Sequence, residues 1–247
     1  MKLFDKTWIV MLMMAAVLVI PTRTSASSQG IIISEVAWAG SELSNSDEWI
    51  ELTNTSLEAI DVSSWYLSGA GSGESNIVIP DETIIESHST YLISNYDQTH
   101  ENSTLGVESN LVTAALSLSN EGFAIYLNNN DGSQIDSAGD GSSPFAGRSG
   151  GAQDTDDGRY RSMVRVDGLL EGSLEASWMD AEISVGFKNE ATDVGTPGSV
   201  DDWLLSFEEP QEELEEDLLS YETRTMVITE FVSDPLEDEE EWIEIKN

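Results

Sequence analysis

The apolar residues of this chain alternate with polar ones over much of the segment 31–138, and this period of two limits the fold more than any other feature. Within 48–53, Ile50 and Leu52 lie on one face of an extended strand and Glu51 lies on the other. Helical spacing is absent here. The pattern predicts short β-strands over 31–38, 48–53, 60–67, 76–79, 90–94, 114–118, 123–127 and 134–138.

Turn residues separate these predicted strands. The Asp-Gly pair at 131–132 stands between two alternating runs and predicts a β-hairpin, because both residues tolerate a positive φ. A further strand is expected over 161–167, after a long loop at 144–158 that is rich in Gly, Ser and Asp. The run Gly-Thr-Pro-Gly at 195–198 is a strong stop signal. Short strands at near-regular spacing predict an all-β fold, either an antiparallel sandwich or a barrel.

Residues 1–26 have the composition of a secretory signal peptide. Lys2 and Lys6 precede an apolar run at 8–20, and small residues follow as far as Ala26. We expect cleavage after Ala26, and a protein that is secreted or attached to the cell surface. An uncleaved anchor is the alternative, although the run is shorter than the roughly 20 apolar residues that a membrane-spanning helix needs.

The charge of the chain excludes several partners and chemistries. The sequence has 47 Asp and Glu against 10 Lys and Arg, a formal net charge of −37. Nucleic acids and anionic membranes are bound mainly through Lys and Arg, so we expect no direct nucleic-acid contact and no membrane contact beyond the signal segment. The absence of cysteine excludes disulfides, thiolate metal sites and cysteine nucleophiles. An alternative view of the acidity is adaptation to high salt, because salt screens the self-repulsion.

A two-strand unit occurs twice in the sequence. Residues 33–36 (Ile-Ser-Glu-Val) recur at 228–231 as Ile-Thr-Glu-Phe, and the run DEWIELTN that begins at Asp47 recurs as EEWIEIKN from Glu240. Agreement across both segments indicates an internal repeat.

The repeat and the composition divide the chain into four parts. Carboxylates greatly outnumber cations between Asp201 and Arg224, which is typical of an acidic linker. The expected parts are a signal peptide at 1–26, a β-sandwich domain at 31–200, a linker at 201–225, and the truncated start of a second domain at 226–247.

The order and spacing of these motifs resemble the lamin tail domain family. The segments 159–163 (RYRSM) and 178–180 (WMD) stand where that family commonly has an arginine and a tryptophan, whereas the glycine-rich acidic loop at 140–158 matches nothing in it. The resemblance covers about 31–200 and the opening of a second copy. The matching pieces are 33–36, 47–54, 60–67 (IDVSSWYL), 118–122 (LSNEG), 135–137 (IDS) and 195–198 (GTPG).

The resemblance carries expectations about fold and function. The family occurs in nuclear lamins and, often beside a signal peptide, in secreted or surface-attached prokaryotic proteins. It implies an immunoglobulin-like antiparallel β-sandwich and no catalytic residues. We therefore expect the residues present here not to form an enzyme, although a catalytic domain beyond Asn247 stays open.

Three carboxylates of the repeated unit are the first candidates for catalytic residues. Glu35, Glu48 and Glu51 recur in the second copy at 230, 241 and 244. Paired carboxylates flanking one bond could serve glycoside hydrolysis. Repetition fits a fold signature better than a single active site, so we interpret all three as structural or surface carboxylates.

Metal and anion sites have weaker support. No segment fits the calcium-loop pattern, and Asp154, Asp156 and Asp157 are candidates only for weak, irregular Ca²⁺ binding; no other cofactor is expected. His88 and His100 lack ligand spacing and are expected in surface loops. A cluster of arginines either neutralises neighbouring carboxylates or recognises an anion, and surface charge clusters favour the first interpretation. The cluster consists of Arg148, Arg159, Arg161 and Arg165.

These observations lead to two functional hypotheses. The leading hypothesis is an exported, non-enzymatic module for binding, adhesion or structure at the cell surface, with an unidentified protein or glycan as ligand. The alternative is an accessory, non-catalytic region of a longer exported hydrolase or nuclease.

Overall fold

The computed structural model describes residues 30–151, 157–166, 168 and 170–200, together with the two strands of a C-terminal pair. Contacts along the chain define two units, Met1–Leu204 and Leu205–Asn247. The predicted signal peptide and acidic linker, and the calcium candidates Asp154 and Asp156, lie outside the described residues. No helix among the described residues is long and apolar enough to cross a membrane.

The described part of the first unit is built almost entirely from short β-strands, with one turn of 3₁₀-helix at Glu175–Ser177. Their bounds are β1 Ile31–Ala37, β2 Trp49–Asn54, β3 Ile60–Asp61, β4 Tyr66–Ser68, β5 Ile77–Val78, β6 Ile84–Ile85, β7 Thr90–Ser94, β8 Leu111–Val112, β9 Ile125–Asn128, β10 Gln134–Ala138, β11 Met163–Arg165 and β12 Trp178–Asp180.

Two sheets carry the fold. The larger has the strand order β12-β11-β1-β2-β7-β8, and the smaller has the order β10-β9-β4-β5. Neighbouring strands are antiparallel except β7 and β8, which are parallel. The main core lies between the sheets, where Ile33, Ile50 and Leu52 of the larger sheet join a cluster with Leu67 and Leu127 of the smaller one. This arrangement confirms the predicted antiparallel β-sandwich.

Two predicted strands are wrong in detail. The predicted strand 60–67 is divided into β3 and β4 by a turn at Ser64, whose φ of 61° is left-handed and breaks the extended backbone. The predicted strand 114–118 forms a turn, in which the Leu116 N–H donates to the Thr113 carbonyl, and the neighbouring strand is β8. Alternation alone does not reveal a turn built from ordinary residues.

The larger sheet is covered on both faces at its centre. Every residue of β1 and β2 is buried, so the face that carries Glu51 is not solvated. On that outer face Trp49 and Leu92 pack against Leu105 and Phe187, and the ring centroids of Trp49 and Phe187 are 6.4 Å apart. The coverage comes from loops far from the strands in sequence.

The C-terminal unit contains two antiparallel strands, β13 Val227–Val232 and β14 Trp242–Lys246. Their register shifts between Ile228 and Glu230, as the register of β1 with β2 shifts between Ile33 and Glu35. The position opposite Glu230 is Glu244, which corresponds to the pairing of Glu35 with Glu51. The two hairpins therefore share a register and a bulge, although the assignment of 226–247 to a second domain stays a prediction.

Candidate functional site

Glu35 projects from the bulge of β1 and is fully enclosed, with 1% of its surface exposed. Its Oε1 accepts the Thr196 backbone N–H at 2.9 Å, and its Oε2 accepts the Thr196 hydroxyl at 2.6 Å. The Ser162 hydroxyl also donates to Oε1. The carboxylate therefore holds the Gly-Thr-Pro-Gly run at 195–198, which we call the closing segment.

Glu51 lies opposite Glu35 in the sheet and binds the same segment. Its Oε2 accepts the backbone N–H of Gly198 at 2.5 Å, and the residue is 1% exposed. Two neighbouring carboxylates thus bind backbone and hydroxyl groups of one loop. These contacts lie inside the protein. They support the structural interpretation of Glu35 and Glu51 and exclude the alternative that these two are surface carboxylates.

Glu48 is the third carboxylate of the signature and is also buried, at 5% exposure. Its Oε1 accepts the Leu118 N–H at 3.0 Å and fixes the loop that precedes β9. Burial raises the pKa of Glu48 to about 7, against the opposing effect of that hydrogen bond. A carboxyl with this pKa could donate a proton near neutrality, but a general acid must also reach its substrate. The enclosure of Glu48 keeps it from doing so.

The arginines of the predicted cluster bind different partners in the structure, although Arg148 and Arg161 pair through their backbones. Arg165 is fully buried, where it pairs with Asp136 at 2.9 Å and lies 5.0 Å from the centroid of the Trp178 ring. Arg148 pairs with Asp180, and Arg159 donates to the Thr192 carbonyl. These separate contacts support local neutralisation rather than a shared anion site.

The calcium candidate that the structure describes is engaged elsewhere. Asp157 pairs with Arg161 at 2.5 Å and accepts the Arg159 N–H at 3.1 Å. The Arg159 hydrogen bond holds the pKa of Asp157 below its usual value. Over the described ranges, no three His, Cys, Asp or Glu side chains form a group that could hold a metal ion. Of the two histidines, His100 stacks on Tyr96 with ring centroids 4.1 Å apart.

A group of acidic residues that the sequence did not single out lies beside the loop between β1 and β2. Asp47 Oδ2 accepts the Thr104 N–H at 2.7 Å, and Asp193 Oδ1 accepts the Glu42 N–H at 3.2 Å. The Glu42 carboxylate in turn binds Thr192. Burial raises the pKa of Asp193 to about 6, and the charges of Glu42 and Asp47 add to the rise. We call Asp47 and Asp193 the loop carboxylates.

Two cavities adjoin this group. A small one of about 10 Å³ is lined by Ser41, Thr104 and Asp193, with Trp49 and Phe187 on its apolar side. A larger, open one of about 620 Å³ includes Glu42, Leu43, Thr104 and Lys188 in its lining. Thr104 borders both, so this end of the sandwich combines a small polar space with a larger groove.

Only one of the two loop carboxylates belongs to a sequence motif. Asp47 opens the repeated run DEWIELTN, and Asp193 stands just before the closing segment. Nothing in the local sequence shows that Asp193 lies beside the loop that contains Glu42, because the hydrogen bond between these two residues spans 151 positions.

The model of the lamin tail domain family matches residues 24–142. The match ends before β11, β12 and the closing segment, which nevertheless complete the larger sheet and bind β1 and β2. No curated protein matches the chain.

Proposed function

Residues 24–142 belong to the lamin tail domain family, and on this premise we propose that the protein is an exported, non-enzymatic module for binding, adhesion or structure at the cell surface. The family is a non-catalytic, immunoglobulin-like one, which is compatible with such a role. Export rests on the composition of residues 1–26. The proposed ligand is a protein or a glycan of the cell surface.

The use of the signature carboxylates is the observation that supports this proposal best. Glu35, Glu48 and Glu51 are the carboxylates that the repeated sequence unit offers as the acid, base or nucleophile of a hydrolase. Each is buried and accepts hydrogen bonds from the loops that cover the sheet. Their burial supports a role in building the domain rather than in turnover.

The C-terminal strand pair resembles the unit of β1 and β2. Its register and bulge repeat those of β1 and β2, with Glu230 opposite Glu244. We infer that 226–247 begins a second lamin-tail-like domain. Tandem domains joined by a linker would suit a surface protein that binds repeated ligands, because linked modules raise the effective ligand concentration.

Two measurements test the proposal. The full chain is expressed in a bacterial host, and the N-terminus of the released product is determined by mass spectrometry. We expect it to begin at Ser27; a product that stays inside the cell and keeps Met1 would contradict export. The released protein is then incubated with glycoside, ester and nucleic-acid substrates and with isolated cell envelopes, and we expect sedimentation with the envelopes and no turnover.

One control separates the proposed role from catalysis. Turnover that disappears in Glu48→Gln or Glu51→Gln, while the circular dichroism spectrum is unchanged, would overturn the non-enzymatic proposal. Turnover that persists in both variants would be assigned to a contaminating enzyme. That turnover should then disappear when the released protein is purified a second time and measured again. The alternative role, as an accessory region of a hydrolase or nuclease, predicts binding to that enzyme's polymeric substrate rather than to envelopes.

A further inference from the structure

Two buried oxygen atoms of the loop carboxylates lack a hydrogen-bond partner. They are Oδ1 of Asp47 and Oδ2 of Asp193, in residues that are 1% and 3% exposed. The other oxygen of each carboxylate accepts a backbone N–H, from Thr104 and from Glu42 respectively. A buried polar atom without a partner costs free energy, and a charged one costs more. Both unpaired atoms are acceptors, so what this group lacks is a donor.

The positive groups near the loop carboxylates bind other atoms. Lys188 donates to two backbone carbonyl oxygens, and Arg159 also donates to backbone carbonyl oxygens. Arg161 lines the small cavity together with Asp193, but its guanidinium pairs with Asp157 and donates to a backbone carbonyl oxygen. Among the described contacts, no cationic side chain therefore donates to the loop carboxylates.

The other titratable groups around Asp193 are mostly acidic. The carboxylate of Glu42 binds Thr192, the residue next to Asp193, and Glu190 lines the larger cavity. Burial raises the pKa of Asp193 to about 6, and the negative charges of Glu42 and Asp47 raise it further than burial alone would. The neutral or basic groups nearby are Tyr160, which lines the small cavity, and His100, whose carbonyl oxygen Lys188 binds.

One proton would supply the missing donor. A protonated carboxyl has an O–H that donates, so a proton on Asp193 Oδ2 turns one unpaired acceptor into a donor. Asp47 Oδ1 is the second unpaired acceptor, and the charge of Asp47 acts on Asp193. The proton also removes one of three neighbouring negative charges, and two close carboxylates commonly hold one proton because like charges disfavour full ionisation. A water molecule in the small cavity would leave all three charges in place.

We propose that the loop carboxylates share one proton at acidic pH, and that its loss loosens the loop between β1 and β2 from the segment 187–194. The two segments hold each other through Glu42, whose N–H donates to Asp193 Oδ1 and whose carboxylate accepts the Thr192 N–H at 3.0 Å. Both also line the larger cavity, which includes Glu42 and Leu43 from the loop and residues 188–191 from the segment. The proton therefore makes the shape of this cavity depend on pH.

Hydrogen exchange of the full chain, followed by mass spectrometry at pH 5 and pH 7.5, measures this loosening. The rates are corrected for the intrinsic pH dependence of amide exchange. We expect the protection of 41–47 and 187–194 to be about tenfold lower at pH 7.5. The reason is that the Asp193 pKa is about 6 in the closed form and 3.8 when exposed, so ionisation favours the open form by about that factor.

Two variants of the loop carboxylates test the roles of the proton and of its neighbour. Asp193→Asn should stay closed at both pH values, because its amide is neutral and can donate in place of the proton. We expect its protection in the two segments to differ by less than about twofold between pH 5 and pH 7.5. Asp47→Asn should move the midpoint of the response to a lower pH, because it removes a charge that raises the pKa of Asp193.

Two further variants serve as controls for other groups that titrate in this range. Histidine does so, and burial raises the pKa of Glu48 to about 7. His100 Nδ1 accepts the Asn102 N–H and Glu48 accepts the Leu118 N–H, so neither side chain binds the loop carboxylates through these contacts. His100→Gln and Glu48→Gln should therefore keep the roughly tenfold response in 187–194.

A direct measurement does not depend on whether any variant folds. NMR follows the side-chain carboxyl carbon of Asp193 in the ¹³C-labelled wild type as the pH rises, and we expect a midpoint near 6. A midpoint of about 4, the usual value for Asp, would overturn the proposal because the carboxyl would hold no extra proton. A response in Asp193→Asn as large as in the wild type would also overturn it, as would the loss of the response in His100→Gln or Glu48→Gln.

Discussion

Thr196 donates both its backbone N–H and its hydroxyl to the carboxylate of Glu35, a residue 161 positions earlier in the chain. One threonine of the closing segment thus donates to both oxygens of this buried carboxylate, to which the Ser162 hydroxyl also donates. The first strand of the domain is thereby tied to the segment that ends it.

Thr196→Val should destabilise the domain, because it removes the hydroxyl that donates to Glu35 Oε2 at 2.6 Å and keeps only the longer of the two Thr196 contacts to that oxygen, from the backbone N–H at 3.2 Å. A hydrogen bond to a charged group contributes about 1.5–3 kcal/mol, and we expect a loss of that size in the free energy of unfolding, measured with urea. Thr99→Val, in an exposed turn, should cost much less. Equal losses in the two variants would show that Glu35 finds another donor.

The raised pKa of Glu48 predicts a pH dependence of stability. Its value in the folded state, about 7, lies above the usual 4.5, so the folded state keeps the proton while the unfolded state loses it. The free energy of unfolding should therefore fall by up to about 3 kcal/mol through this group as the pH rises from 4.5 to 7. Above pH 7 it should level off.

Glu48→Gln should remove that component, since the amide oxygen can still accept the Leu118 N–H but carries no charge. Urea unfolding at several pH values, with EDTA present to exclude any metal ion, would measure the slope. Glu121→Gln, at an exposed position, serves as the control and should keep the wild-type slope. A slope equally steep in Glu48→Gln and the wild type would assign the titration to another group.

The ion pair between Asp136 and Arg165 connects the two sheets, because Asp136 lies on β10 and Arg165 on β11. Arg165→Met should cost about 3–5 kcal/mol, since it leaves a buried carboxylate without its cation. The double variant Arg165→Met with Asp136→Asn should recover part of the loss, because Asn can still accept the Ile33 N–H. Unfolding in urea measures all three proteins.

Arg148→Met is the matched control for that series. Its partner is Asp180, and the two side chains are 39% and 27% exposed, so the loss should be under about 1 kcal/mol. A loss for Arg165→Met as small as this would mean that water reaches Asp136.

The acidic segment at 201–225 should be the first site of proteolysis in the full chain. A protease specific for Glu is expected to cut there before it cuts within 30–200, because Glu is concentrated in that segment, whereas the exposed Glu residues of 30–200 lie in a domain whose backbone is held by a packed core. Mass spectrometry of the early products should find a fragment that ends shortly after Val200. Early cleavage inside 30–200 would contradict the proposed domain boundary.

The sequence predicted strands well where apolar residues alternate between clear turn signals. The hairpin of β9 and β10 around Asp131-Gly132 and the core positions Ile50 and Leu52 are examples. The role of Glu51 could not be predicted, because its partner Gly198 comes from a segment 147 positions away. Alternation shows which face a residue occupies but not what covers that face.

The charged residues show the same limit. Arg165 belongs to a run of arginines that suggests a surface, yet its guanidinium is enclosed by Asp136 and Trp178. Asp193 carries no motif at all, and only the folded chain brings it to the loop that contains Glu42. Tertiary contacts between distant segments decided both cases.

The hydrogen bonds that Glu35 and Glu51 accept from the closing segment also determine how the domain would respond to tension. A pull between residues 30 and 200 enters at β1 and leaves just past Gly198. Glu35 of β1 and Glu51 of the neighbouring β2 both bind the closing segment, so the force acts on these few hydrogen bonds, and on those that Gly195 makes with 183–185, before it acts on the apolar core. Under tension the closing segment would therefore detach first and lengthen the chain before the apolar core is exposed.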